Sequence, residues 1–268
     1  MPSQAPAQKL NISAIIITLN EERRLPRTLE SLSFADEVLV VDSGSTDATR
    51  EIASRCGARV VCHEWEGYAR QKNFAAAQAK YDWVFSIDAD EVVTSQLAAE
   101  IEQIKRDGPA DAAGFEMPRM ANYQGHWIHH SGWYPDFKLR LYDRRRARWE
   151  GDYVHEELKV QGPIRRLRGN LQHFTCDSFA EHLRTMDRYT TLAAREAFSR
   201  GQGWVVPRMF AGPAWKFIET YFFRQGFRDG VPGATIAAMA GLYVFLKYAK
   251  VWQMRRGDIG PGDHNPIP

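Results

Sequence analysis

The stretch Trp83-Val84-Phe85-Ser86-Ile87-Asp88-Ala89-Asp90 decides which fold this chain is expected to adopt. Its short apolar run is typical of a buried strand, and the two aspartates stand where that strand ends. Ligands of open α/β sheets gather outside the carboxyl ends of strands. Two carboxylates there can bind Mg²⁺ or Mn²⁺ and leave open positions for the oxygens of a diphosphate. Asp88 and Asp90 therefore predict a nucleotide-diphosphate site, although an isolated Asp-x-Asp is also a common turn sequence.

Three similar runs precede this strand, at residues 12–18, 37–42 and 59–62. Helical patterns separate the runs, at residues 24–32, up to residue 56, and at 68–80. Strand and helix alternation at this spacing predicts a three-layer α/β sheet with right-handed crossovers. With 268 residues, of which 44% are hydrophobic, the chain is long enough for one large domain and a helical appendage.

Composition also bears on the compartment and the partners. Cys56, Cys62 and Cys176 are odd in number and lack metal-site spacing, which indicates reduced thiols of a cytosolic protein. The first eight residues have neither a basic start nor an apolar stretch, so we expect no secretory signal. Positive charge is densest over residues 138–168. This patch could face nucleic acid, anionic lipid or a phosphorylated acceptor, or consist of solvated arginines on strand edges.

The turn after the second strand reads Asp42-Ser43-Gly44-Ser45-Thr46-Asp47. Gly44 lets the chain turn, the hydroxyls and free amides that follow can face an anion, and Asp42 can accept hydrogen bonds from a base or ribose. The alternative is a structural turn in which Ser45 or Thr46 caps the next helix. No Walker loop and no Gly-x-Gly-x-x-Gly fingerprint occurs, which argues against kinases and dehydrogenases.

Four motifs occur in order over residues 12–91: Ile15-Ile16-Ile17-Thr18-Leu19-Asn20-Glu21-Glu22, Val40-Val41-Asp42-Ser43-Gly44-Ser45-Thr46-Asp47, Lys72-Asn73-Phe74-Ala75 and Ile87-Asp88-Ala89-Asp90-Glu91. Together they resemble the family-two inverting glycosyltransferases of the GT-A fold. Four later stretches are Lys138-Leu139-Arg140-Leu141-Tyr142, Val154-His155-Glu156-Glu157-Leu158, His173-Phe174 and Gly226-Phe227-Arg228-Asp229-Gly230. These are similar to the branch that includes lipopolysaccharide core glucosyltransferases of Gram-negative bacteria.

The resemblance implies a GT-A three-layer α/β/α sandwich over residues 11–177, after a flexible amino terminus at 1–10 and before a helical extension at 178–268. It also implies a nucleotide-sugar donor, most often a UDP-sugar, with Asp42 near the uracil. The implied donor-binding residues are Thr18, Asn20, Glu22, Asp42, Ser43, Gly44, Arg70, Lys72, Asn73, Asp88 and Ala89. Arg70 and Asn73 share a helix face. Lys72 either reaches the diphosphate or is an exposed helix lysine.

An inverting transfer needs a base that takes the proton of the acceptor hydroxyl, while a metal stabilises charge on the departing phosphate. The candidates for the base are Asp152, Glu156 and Glu157, and the Val-His-Glu pattern of the family favours Glu156. His173 is expected as a third metal ligand beside Asp88 and Asp90, and His155 at the metal or the acceptor. Each histidine could instead be a hydrogen-bonded structural imidazole.

An aromatic segment at residues 122–136 suits a loop that binds the acceptor. Trp127 or Trp133 can pack on the apolar face of a pyranose, and Asp136 can accept hydrogen bonds from sugar hydroxyls. Beyond residue 203, aromatic and basic residues alternate around the uncharged Ala234–Leu246, which is too short to span a bilayer. Such a segment suits a helix that lies in the headgroup layer, or alternatively a lid or an oligomer interface.

We therefore expect a peripheral enzyme on the cytoplasmic face of the inner membrane, which moves a sugar onto a lipid-linked glycan such as the lipopolysaccharide inner core. One alternative is a polyprenyl-phosphate or protein glycosyltransferase with the same donor site. Another is a noncatalytic protein that binds a sugar nucleotide or, through the arginine patch, nucleic acid, although we expect no nucleic-acid partner. The oligomeric state is not predicted.

Overall fold

The computed structural model describes residues 10–151, 156–176 and 178–257. Residues 1–9 of the predicted flexible amino terminus lie outside the described residues. The predicted site residues Asp152 and His155 also lie outside them. The chain divides into two compact units. The first contains residues up to 119 together with 136–173, and the second contains residues 120–135 and those from 174 onward. The predicted acceptor loop thus clusters with the carboxyl-terminal helices.

Four parallel strands form one half of the sheet in the first unit, in the order β3-β2-β1-β4. The elements are β1 Ile12–Thr18, α1 Leu25–Glu30, β2 Glu37–Asp42, α2 Thr49–Arg55, β3 Arg59–Cys62, α3 Tyr68–Gln78 and β4 Trp83–Asp88. All four predicted strands are present. Strands β1, β2 and β4 are continuous apolar runs that the sheet largely buries, whereas β3 lies at the edge of the sheet and is partly exposed. Thr18 pairs with Asp42, and Ile17 with Asp88. The polar residues that end these strands therefore lie along one edge of the sheet.

The other half of the sheet is largely antiparallel and was not predicted. Its elements and those around it are β5 Glu91–Val93, α4 Ser95–Asp107, β6 Gly114–Tyr123, β7 His126–Trp127, β8 Asp136–Asp143, β9 Ala147–Glu150, β10 Glu157–Val160, β11 Ile164–Arg166 and β12 Leu171–Cys176. Strand β8 pairs antiparallel with both β4 and β6. Strand β12 pairs antiparallel with β5, so that His173 lies opposite Glu91.

Alternate residues of β1 point into two hydrophobic clusters, one on each face of the sheet. Ile12 and Ile16 pack with residues of α1, α2 and α4, whereas Ile15 packs with α3 and with the β9–β10 hairpin. Complete burial of each isoleucine side chain contributes about 1.5–3 kcal/mol to stability. The predicted three-layer α/β sandwich is confirmed.

The described residues of the second unit include three α-helices, α5 Phe179–Ser199, α6 Val205–Ile218 and α7 Gly230–Arg256. A π-helix at Glu219–Phe223 and a 3-10 helix at Gly226–Asp229 lie between α6 and α7. Helix α7 packs against α5 and α6. A Cβ at Gly212 would lie 2.7 Å from Cγ1 of Val244, so this glycine allows α6 and α7 to approach closely. The predicted helical extension is confirmed over its described residues, 178–257.

The helical stretch Gly226–Arg256 is long and apolar enough to cross a membrane by length and composition, and 28% of its most apolar 18-residue window is buried inside the protein. The sequence-based interpretation counted only the thirteen uncharged residues Ala234–Leu246 and therefore underestimated the length of the apolar helix. Helix α7 begins one turn earlier, at Gly230.

Candidate active site

The carboxylate of Asp42 organises the turn that follows β2. It is fully buried, and its Oδ1 accepts hydrogen bonds from the backbone nitrogens of Gly44 at 3.1 Å and Ser45 at 2.9 Å. Its Oδ2 accepts from the hydroxyls of Ser45 and Thr18. Gly44 has φ +97°, which other residues rarely adopt. Helix α2 begins only at Thr49, so the expectation that Ser45 or Thr46 caps it was wrong.

Hydrogen bonds join this turn to the loop that follows β1. The backbone nitrogen of Asn20 donates to Ser45 Oγ at 2.9 Å, and Asn20 Oδ1 accepts from the backbone nitrogen of Thr46 at 2.9 Å. The carboxylate of Glu22 accepts from the backbone nitrogen of Ala48 at 3.0 Å. Thr18, Asn20, Glu22 and the turn residues predicted to bind the nucleoside therefore form one connected cluster.

Gln71 on α3 supports the same cluster, and the sequence analysis missed it. This buried amide donates to Ser43 Oγ at 2.9 Å and to the His63 carbonyl at 3.2 Å. Its Oε1 lies 2.9 Å from Nδ1 of His63. The available signal was its place directly before Lys72, in a helix whose other buried residues besides Lys72 are alanines.

Lys72 is buried, so its interpretation as an exposed helix lysine was wrong. Its ammonium lies 3.2 Å from Asp88 Oδ1 and 3.3 Å from Glu156 Oε1. It also lies 4.6 Å from the centroid of the Trp149 ring. One cation thus joins the Asp-x-Asp motif to the residue favoured as base. Glu157, the neighbouring candidate, points outward and pairs with Lys159.

The other two helix residues predicted at the diphosphate differ from Lys72. Asn73 exchanges hydrogen bonds with the backbone of Trp149, donating to its carbonyl at 2.8 Å and accepting from its nitrogen at 3.0 Å. Asn73 therefore ties α3 to strand β9. The side chain of Arg70 is exposed.

A buried ion network surrounds Asp88. Nη2 of Arg140 lies 2.6 Å from Asp88 Oδ2 and 2.7 Å from Glu91 Oε1, and Arg119 lies 3.5 Å from the same Glu91 oxygen. Burial alone would raise the pKa of Asp88, but Arg140 and Lys72 outweigh this and hold that pKa well below its usual range. Asp88 is therefore ionised at neutral pH. Arg140 and Glu91 stand inside recognised motifs, but the sequence assigned them no role.

Two predicted metal ligands meet beside this network. Asp90 Oδ2 lies 3.2 Å from Nε2 of His173. A carboxylate and an imidazole, completed by diphosphate oxygens, form a donor set suited to Mn²⁺, and the carboxylate also suits Mg²⁺. Asp88, next to Ala89, instead accepts a hydrogen bond from Arg140 and forms an ion pair with Lys72. No group of three or more His, Cys, Asp or Glu side chains able to hold a metal occurs among the described residues.

The predicted acceptor residues belong to different units. Asp136 lies in the first unit, where Arg119 at 2.7 Å and Lys138 at 3.0 Å contact its carboxylate. Burial opposes ionisation of Asp136, but these two cations hold its pKa below the usual range. Trp127 and Trp133 lie in the second unit.

The tail motif residue Asp229 holds the aromatic loop within the second unit. Its carboxylate accepts from the backbone nitrogens of His129 at 3.2 Å and His130 at 2.9 Å. It also contacts Nδ1 of His130 and the hydroxyl of Ser131. No role had been predicted for Asp229 from the sequence.

Arginines of the basic patch mostly contact other residues of the same chain. Arg144 donates to the carbonyls of Ala76 and Ala79 at the end of α3, and Arg166 pairs with Glu116. These contacts agree with the structural interpretation of the patch.

The sequence model of glycosyl transferase family 2 matches residues 13–166, which is more than half of the chain. The lipopolysaccharide core biosynthesis glycosyltransferase LpsC of Rhizobium meliloti (strain 1021) is 31% identical over 252 residues, which cover 91% of this chain and 93% of that protein. An uncharacterized glycosyltransferase of Rickettsia typhi is 29% identical over 91% of this chain and 87% of its own length. Among solved structures, TarS 1-349 of S. aureus in complex with UDP-GlcNAc has a TM-score of 0.47 at 15% identity, with 92% of each chain covered. The match to the family model and the similarity to LpsC confirm the resemblance inferred from the sequence motifs, and the chain belongs to glycosyl transferase family 2.

Proposed function

We propose that this glycosyltransferase moves a hexose from a UDP-sugar to a lipid-linked glycan of the lipopolysaccharide inner-core type, with inversion and with Mg²⁺ or Mn²⁺. The observation that carries the proposal is the shared contact of Lys72 with Asp88 and Glu156. It holds the favoured base next to the motif expected to bind the donor. The name of the LpsC relative supports a core glycan as acceptor.

In the proposed reaction, the acceptor hydroxyl gives its proton to the Glu156 carboxylate as its oxygen bonds to the anomeric carbon. The bond from that carbon to the diphosphate oxygen breaks, and the nucleoside diphosphate leaves with the electron pair. Lys72 fixes Glu156 in place. Asp90 and His173 would hold the metal, which when bound offsets negative charge on the departing group.

Substitution at the base tests the mechanism. The Glu156→Gln variant should bind UDP-sugar normally and lose transfer by about 10²–10⁴-fold, because a general base contributes about that much. The matched control is Glu157→Gln, at an exposed neighbour, which should transfer at the normal rate. If Asp152→Asn abolishes transfer and Glu156→Gln does not, the base is misassigned.

A panel of donors and acceptors tests the substrate. Thermal shift with nucleotide sugars, each with and without Mn²⁺, should select a UDP-hexose, because ligands that bind the folded state stabilise it. Transfer should then occur to a heptose-bearing core glycolipid. Transfer to polyprenyl phosphate, with none to that core, would overturn the acceptor assignment.

We further propose that the second unit binds peripherally to the cytoplasmic face of the inner membrane. Among the described residues of this unit, the large apolar side chains that are at least 60% exposed are Trp204, Phe210, Trp215, Phe223 and Val231. Basic residues such as Arg208 and Arg228 lie among them in the sequence. Exposed aromatic and basic side chains together favour the headgroup layer of an anionic membrane.

A further inference from the structure

The second unit contains an open cavity of about 610 Å³. Its wall is formed by residues of α5, α6 and α7 together with Trp133. Most of the lining is apolar and includes Met186, Ile236, Met239, Ala240 and Val244. The volume lies in the range of about 300–1,000 Å³ that is typical of small-molecule sites. The proposed donor and base residues are not part of its lining.

Positive charge is present at this cavity without negative charge in the lining. Among the residues that the structure describes, the lining contains Arg208, Lys216 and Lys247 but no aspartate or glutamate. Lys216 is neutralised by Glu219 at 2.9 Å. Arg208 and Lys247 form no ion pair within the described part of the chain, so both remain available to an anion.

These two cations lie near the same side chain. The guanidinium carbon of Arg208 lies 6.0 Å from the centroid of the Tyr248 ring, and the ammonium of Lys247 lies 5.6 Å from it. Arg208 comes from α6 and Lys247 from α7, so the two helices bring both charges near Tyr248. Both side chains are of the kind that donates charge-assisted hydrogen bonds to a phosphate.

Two titratable residues of the lining, His182 and Tyr243, have pKa shifts that favour their neutral forms. Burial lowers the pKa of His182, whose Nδ1 lies 2.9 Å from the Tyr123 hydroxyl. Burial, with a smaller effect of Glu196, raises the pKa of Tyr243. The cavity therefore combines an uncharged apolar interior with a cationic rim.

We propose that this cavity binds one anionic membrane phospholipid, with part of an acyl chain among α5, α6 and α7 and its phosphate between Arg208 and Lys247. An apolar chain matches the interior, and a phosphate matches the rim. The exposed Phe210 of α6 and the exposed Trp204 directly before that helix suit a membrane surface. The identity of the lipid rests on the membrane binding proposed above, whereas the site itself is independent of sugar transfer.

The test uses the full chain and dodecyl phosphate below its micelle concentration, followed by isothermal titration calorimetry. We expect binding of one molecule per chain, and at least tenfold weaker binding of inorganic phosphate and of dodecyltrimethylammonium. Ala240→Phe, which fills the cavity, should weaken dodecyl phosphate at least tenfold. Ala238→Phe, at an exposed position of the same helix, is the matched control and should bind normally.

Charge variants keep the proposal testable if Ala240→Phe does not fold. The double variant Arg208→Gln with Lys247→Gln should bind dodecyl phosphate at least tenfold more weakly than the wild type. It should also lose more binding to phosphatidylglycerol vesicles than to phosphatidylcholine vesicles. Equal binding of the anionic and cationic probes would overturn the proposal. So would inorganic phosphate as tight as dodecyl phosphate, which would indicate a simple anion site. UDP-sugar binding, measured on the same variants, should not change, so failure of the lipid site leaves the proposed donor site untouched.

Discussion

Replacing Arg140 with methionine is expected to lower the free energy of unfolding by about 3–5 kcal/mol, because it leaves a buried charge without its main partner. Arg140 Nη2 lies 2.6 Å from Asp88 and 2.7 Å from Glu91, and its side chain is 5% exposed. Glu91 is fully buried, and Arg119 at 3.5 Å compensates it only in part. Asp88 contributes less to the loss because it keeps Lys72 and is 31% exposed.

Urea unfolding of the full chain at pH 7, followed by circular dichroism, measures this loss. The thermal midpoint should fall by about 6–20 °C, since each kcal/mol corresponds to about 2–4 °C in a chain of this size. The matched control is Arg145→Met. Arg145 is 62% exposed and pairs with Asp82 and Asp143, so its loss should stay within about 1 kcal/mol.

Two results would refute this reasoning. One is a loss below about 1 kcal/mol for Arg140→Met, and the other is an equal loss for Arg145→Met. A double variant gives an additional check. Combining Arg140→Met with Glu91→Leu should recover part of the stability, because replacing both partners of a buried ion pair by apolar groups removes the unpaired charge.

Three further predictions concern charge, catalysis and membrane binding. The folded-state pKa of Asp88 is depressed, so the stability that its ionised form contributes is present above the unfolded pKa of about 3.9 and is lost as pH falls below that value. The difference in free energy of unfolding between wild type and Asp88→Asn, measured in urea, should therefore be smaller at pH 3 than at pH 7. A difference that does not change with pH would contradict this. Lys72→Met should lower the rate of sugar transfer at least tenfold, because it frees both carboxylates that the ammonium positions. Lys80→Met, at an exposed lysine just beyond α3, should leave the rate unchanged. Equal transfer rates in these two variants would exclude the positioning role of Lys72. Trp204→Ser combined with Phe223→Ser should reduce co-sedimentation with anionic vesicles, because both side chains expose large apolar surfaces, and unchanged sedimentation would argue against peripheral anchoring by this surface.

The parallel half of the sheet could be predicted because its strands are uninterrupted apolar runs. Their polar ends meet at one edge through the parallel register, so Thr18, Asp42 and Asp88 were recognisable as a group. Strand β8 gave no such signal. Its sequence alternates basic and apolar residues as an exposed strand does, yet Arg140 is buried.

The ion network could not be predicted because its members are far apart in the chain. Arg140 and Glu91 are separated by 49 positions, and Lys72 and Glu156 by 84. Each of these residues is charged and, taken alone, is of a type usually found at the protein surface. Only the pairing of β4 with β8, and of α3 with the β9–β10 hairpin, brings the charges together. The role of Asp42 was left open by its sequence, since the same residues suit a nucleoside contact and a structural turn.

The most direct test of the account is the binding of UDP to the full chain, measured by calorimetry with and without Mn²⁺. We expect Mn²⁺ to strengthen UDP binding to the wild type, and Asp90→Asn to weaken the Mn²⁺-dependent binding at least tenfold. Asp107→Asn, at the exposed end of α4, should behave as wild type. UDP affinity that is the same with Mn²⁺, with chelator and in Asp90→Asn would contradict the proposed donor site.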